Sequence, residues 1–172
     1  MRILLGTLTL AIAAGISLVD RAEAQASPRD TTRAVVAGAN VLVDYGRPSK
    51  RGREIFGGLV PYGRVWRTGA NEATHLVTDK PLMFGSTMVP AGTYTLYTLP
   101  AADGWQLIIN KQTGQWGTSY DESQDHARVP MRVASLPEVV EQFTIKIEPG
   151  SGGGVLKLEW DRTVASIPFM VH

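Results

Sequence analysis

Beyond residue 33, turn-forming residues recur every eight to twelve positions, and no stretch between them carries the periodicity of an amphipathic helix. A chain punctuated in this way can bury its apolar residues only by pairing short strands. The spacing therefore predicts an all-β fold, an antiparallel β-sandwich of about eight to ten strands. Residues 34–45 read as two strands of a hairpin broken at 38–40, and residues 74–78, 82–84 and 88–89 as further short strands. Residues 93–99 alternate strictly, and 105–110 return antiparallel to them through the turn residues 100–104. Four more strands are expected at 128–134, 142–148, 155–160 and 165–170. Gly152 to Gly154 would form a flexible hairpin tip, and Pro168 would place the last strand at an edge.

The first residues have a different character. Met1-Arg2 precedes an apolar run over 3–19, shorter than a comfortable bilayer span, and Ala22-Glu23-Ala24 offers the small residues of a processing site. The expectation is a signal peptide over residues 1–24, with cleavage after Ala24 and Ala26 as a second candidate, followed by a single domain over 25–172 in the periplasm or outside the cell. A membrane association would come only through an uncleaved signal segment. About 148 residues then remain, enough for one sizeable core. The absence of cysteine removes disulfides and thiolate chemistry, so packing must supply the stability.

Between Gly46 and Gly69 both structural periods vanish and glycine and proline crowd the chain, leaving room for one or two helical turns at most, over 51–56. A long irregular loop inside a compact domain is usually functional. Its charge supports that reading: residues 47–67 hold six arginines and lysines against the single acid Glu54, whereas residues 68–172 hold 11 acids against 7 such bases. Guanidinium groups concentrated on such a loop suit a carboxylate, sulfate or phosphate. The near-neutral total of +1 and the export signal disfavour nucleic acid. Entering the next strand, Val65-Trp66-Arg67-Thr68-Gly69-Ala70-Asn71-Glu72-Ala73-Thr74 brings an indole face together with fork, amide and carboxylate groups, a composition suited to a polar small molecule or a sugar.

The segment from Tyr45-Gly46-Arg47-Pro48 through Gly52-Arg53-Glu54-Ile55-Phe56-Gly57-Gly58-Leu59-Val60-Pro61-Tyr62-Gly63-Arg64-Val65-Trp66-Arg67-Thr68-Gly69-Ala70-Asn71-Glu72-Ala73-Thr74 resembles the bacterial family catalogued as domain of unknown function 2911. The likeness continues at Pro90-Ala91-Gly92-Thr93-Tyr94, Asn110-Lys111 and Gln115-Trp116-Gly117 and covers nearly the whole mature chain. It implies an exported bacterial β-domain without an established activity, and it supplies no mechanism.

The resulting expectation is a binding domain of the bacterial envelope, leaning away from an enzyme. Its ligand-binding residues would be Arg47, Arg53, Trp66, Arg67, Asn71, Glu72 and Trp116, and its ligand a polar or anionic small molecule or a carbohydrate. In this reading Arg53 and Arg67 receive charge, Asn71 and Glu72 orient hydroxyls or amines, and the tryptophans form the wall. The competing reading makes the same residues a buried stabilising network, with Arg67 and Glu72 as an ion pair. A hydrolase using Glu72, paired with Glu54, comes third. A self-formed amide between Lys111 and Asn71, assisted by a buried Glu72, is a further class. No cofactor is expected and no metal: His75, His126 and His172 have no ligand spacing among them, and 121–126 reads as a solvated turn more readily than as a cation loop. The oligomeric state is left open.

Overall fold

The computed structural model describes residues 27–172. The expected signal peptide and its cleavage sites lie outside the described residues. Nine strands form: β1 (Arg29–Val36), β2 (Ala39–Gly46), β3 (Thr74–Thr78), β4 (Leu82–Phe84), β5 (Thr87–Val89), β6 (Gly92–Leu99), β7 (Trp105–Asn110), β8 (Asp125–Gly150) and β9 (Gly153–Val171). Among the described residues, the one helical element is a 3-10 turn at Glu122–Gln124, so no helix is long and apolar enough to cross a membrane.

All pairings are antiparallel, in the order β1-β2-β3-β6-β7-β8-β9-β4-β5. The all-β expectation is met, with the strands joined in one continuous order. Two of them are far longer than the turn signals suggest. The segments expected separately at 128–134 and 142–148 merge into β8, and those at 155–160 and 165–170 merge into β9. The reason is visible in their pairing, whose register shifts twice, between Ser135 and Val140 and again between Val140 and Thr144. A long strand absorbs a bend at such irregularities without ending. The first part of β8 pairs with β7, and its last part pairs with the start of β9. The sheet thereby turns back on itself: Tyr45 on β2, four places from β8 in the strand order, accepts a hydrogen bond from the Ile145 amide at 2.9 Å through its hydroxyl.

One hydrophobic cluster draws on every strand and also on Ile55 and Val60 of the irregular loop. Its alternation follows the strand period: Val41, Val43 and Tyr45 on β2, and Leu156, Leu158 and Trp160 on β9, are each almost fully buried. Strand β6 departs from simple alternation, because residues 94–98 are all buried. Residues of the 111–121 segment cover its second face, with Gln115 donating to the Thr95 and Tyr97 hydroxyls at 3.2 and 3.1 Å.

Three local expectations are corrected. No helical turn forms over 51–56, since Arg51 and Gly52 take left-handed φ values of 49° and 69°. The glycine run at 152–154 is not a loose tip: Gly153 and Gly154 belong to β9, and a Cβ on Gly153 would lie 2.0 Å from the Phe169 carbonyl oxygen. Pro168 does not mark an edge, because β9 lies between β8 and β4; the proline falls after the last β8 partner, Ser166, and before the first β4 partner, Met170, where no ladder amide is required.

Two predictions follow from this packing. Truncating the buried Trp160 to alanine is expected to destabilise the protein by about 3–5 kcal/mol, as a lower denaturation midpoint in urea. His75 accepts the Gly114 amide at 3.2 Å, and burial, reinforced by Arg29, holds its imidazole below the ordinary value of 6.5. A histidine kept neutral by folding costs stability once the unfolded chain begins to protonate. Its contribution is therefore complete above about pH 6.5 and is lost as pH falls from there to the lower folded-state value. The H75Q variant should show a flatter urea midpoint between about pH 7.5 and 5.5 than the wild type.

Candidate functional site

The irregular loop is held to the sheet by aromatic packing and by two backbone bridges, and the chain that leaves it is held by a third to the 111–121 segment. Phe56 and Trp66 leave the loop to join Trp105, Phe143 and Trp160: the Phe56 and Trp105 centroids are 4.6 Å apart, and Trp66 stacks on Trp160 at 5.8 Å with planes 18° apart. Ser49 bridges to Gln142 of β8, Trp66 to Thr98 of β6, and Glu72 to Trp116. In the last bridge the Gly117 amide donates to the Asn71 carbonyl at 2.9 Å and the Ala73 amide to the Gln115 carbonyl at 3.1 Å.

These anchors leave a cleft of about 430 Å³ between the loop, Thr118 and Trp160. Arg51, Arg53 and Arg67 line it, with Trp66 and Asn71 beside them, and no acidic side chain belongs to its lining. Left-handed backbone gathers around it. Of the five described non-glycine residues with positive φ, Arg51 and Asn71 line the cleft, Thr68 lies between two lining residues and Asp161 follows lining Trp160. A β-branched residue such as Thr68 at φ 51° carries strain that only firm surroundings maintain, and such strain concentrates at binding sites.

Arg67 is the most informative group. It donates its Nε to the Gly69 carbonyl at 3.3 Å, and it has no carboxylate within ion-pair distance among the described residues. Burial pushes its guanidinium below the ordinary value, the direction expected of a cation losing water without gaining a counter-charge. Its stem lies over Gly117, where an added Cβ would come within 2.8 Å of Arg67 Cδ and 2.7 Å of the Asn71 carbonyl oxygen. Glycine at 117 is what allows the Arg67 stem and the Asn71 backbone to close on this turn.

The other sequence-derived residues divide. Arg53 is exposed at the cleft and donates its Nε and Nη2 to the carbonyls of Lys50 and Ser49, at 3.0 and 2.6 Å. Asn71 reaches toward the Ser27 carbonyl at 3.5 Å. Arg47 lies outside the lining and is fully engaged: it donates to Asp30 Oδ2 at 2.9 Å, to the Phe143 carbonyl at 3.1 Å and to Thr144 Oγ1 at 2.9 Å. Glu72 and Trp116 also lie outside the lining and are exposed. Glu72 faces Arg29, 3.8 Å away, and no ion pair joins it to Arg67. Lys111 is exposed as well, so the buried carboxylate and sheltered amine that a self-formed amide requires are not in place. In the 121–126 segment, Asp121 caps the short turn by accepting from Ser123, and Asp125 is held by Arg128 at 2.9 Å. No group of metal-ligating side chains occurs among the described residues.

The lining includes residues that the sequence does not single out, Arg51, Trp160 and Thr118 among them. Arg51 is one of several bases in the basic run, Trp160 reads as strand, and Thr118 comes from a distant segment. The Gln115-Trp116-Gly117 triplet was the available clue to that segment.

No curated protein and no solved structure matches the chain. The family model described as a protein of unknown function, DUF2911, matches residues 27–169, most of the chain, and the protein belongs to that family.

Proposed function

We propose that this chain is an exported, non-catalytic domain of the bacterial envelope, periplasmic or secreted, that binds an anionic small molecule or acidic carbohydrate in the loop cleft. The observation that carries the reading is Arg67, a partly desolvated guanidinium without an acidic partner among the described residues, in a cleft lined by two further arginines and no acid. Partial desolvation of a cation is costly unless something compensates its charge, and an anionic ligand does so. Trp66 gives the cleft apolar surface, and Asn71 and Thr118 supply polar groups that orient hydroxyls. The apolar run at 3–19 followed by Ala22-Glu23-Ala24 supports export.

Arg47 favours a second role for part of the motif. Its three partners come from β1 and β8, so it staples the loop entrance to the sheet. Binding and structural work are thus divided between Arg67 with Arg53 on one side and Arg47 on the other. Glu72 is exposed and outside the cleft lining, and it has no place in the proposed site.

Thermal-shift and calorimetric titrations with D-glucuronate, citrate and inorganic phosphate, with D-glucose as the neutral control, test this reading. At a concentration of 100 times Kd, a binding anion is expected to stabilise the protein by about 2.7 kcal/mol. That stabilisation should disappear in R67Q while the variant remains folded. A collapse of R67Q stability, with no shift from any of the three anions in the wild type, would instead assign Arg67 to a structural network.

A further inference from the structure

Taking the anion-binding reading of the cleft as given, we infer that its ligand carries two anionic groups held apart by a ring or a short carbon chain. Besides Arg51, the cleft lining holds two cationic side chains of different character, supplied by separate parts of the loop. Arg67 is half-buried, clamped through its stem against Gly117 and through its Nε to Gly69, so its two terminal nitrogens remain as paired donors. Such a fixed fork suits one carboxylate or phosphate group through two parallel hydrogen bonds. Arg53 is exposed, and its contacts are to neutral carbonyls alone, so its charge is offset by no carboxylate among the described residues. The lining also includes Leu59, Val60 and the Trp66 indole, an apolar surface for the part of a ligand that joins two charged ends. One small anion can occupy the Arg67 fork but leaves Arg53 uncompensated. A linked second group binds Arg53 as an intramolecular event, gaining from effective concentration only if the linker spans the two positions.

The test is calorimetry at constant ionic strength with butyrate, malonate, glutarate and pimelate. Malonate has the charge of the longer diacids without their reach, so it separates geometry from general attraction to a basic cleft. The expected result is that at least one longer diacid binds about tenfold or more tighter than butyrate or malonate. R53Q should remove that advantage while leaving butyrate affinity in place, and R67Q should weaken every probe. Equal affinity for malonate and the longer diacids, or an advantage that survives R53Q, overturns the inference while loss of binding in R67Q leaves the anion site standing. Failure of all four acids to bind, together with no effect of glucuronate, citrate or phosphate, overturns both.

Discussion

The stacking of Trp66 on Trp160 is the contact on which the arrangement depends. Residues 47–73 are rich in glycine and have almost no regular structure, and ordering each of them costs about 1–2 kcal/mol of conformational entropy. Their few backbone bridges could not offset that alone. Burial of Ile55, Phe56, Val60 and Trp66 in the core cluster adds to them, and the aromatic edges and faces of Phe56 and Trp66 against Phe143 and Trp160 fix the loop in one arrangement. Because Trp66 also lines the cleft, the group that holds the loop down also shapes the site. Arg67, the next residue in the chain, is carried with it.

The electrostatics follow from the same construction. The domain has acids enough to pair its arginines, and it does so at the loop margins, where Arg47 meets Asp30 and Lys50 meets Asp161. Within the cleft, the contacts of Arg53 and Arg67 are to carbonyls alone. Carbonyls fix geometry without cancelling charge, so the cleft keeps a positive field inside walls that exclude part of the water. A stabilising network would place acids at these positions. On one continuous motif, the neutralised anchor Arg47 is thus separate from Arg53 and Arg67, which supports the proposed division between stapling and binding.

Much of the fold was legible because its physics is local. Alternation at 93–99, the turn residues of 100–104 and the hairpin over the first strands each place a strand by period and by turn chemistry. What was not legible is non-local. Nothing in residues 135–141 announces that a strand continues through them, because continuity there is set by pairing with β9 across register shifts. Gly153 reads as a turn residue until the Phe169 carbonyl is seen against it. In the site, the run from Trp66 to Glu72 looks like one functional unit, but left-handed turns at Thr68 and Asn71 keep Arg67 and Asn71 on the cleft and leave Glu72 toward Arg29. The Thr118 side of the cleft joins through bridges between segments more than forty residues apart, which no spacing rule reads.

The proposed binding of an anion by Arg67 beside Trp66 is open to nuclear magnetic resonance of the arginine Nε–H and tryptophan indole N–H groups during a titration with citrate. The Arg67 and Trp66 signals are expected to move together and saturate with one dissociation constant, while Arg47, held by Asp30, stays in place. Shifts that spread over the exposed arginines without saturating, or that spare Arg67, would contradict it.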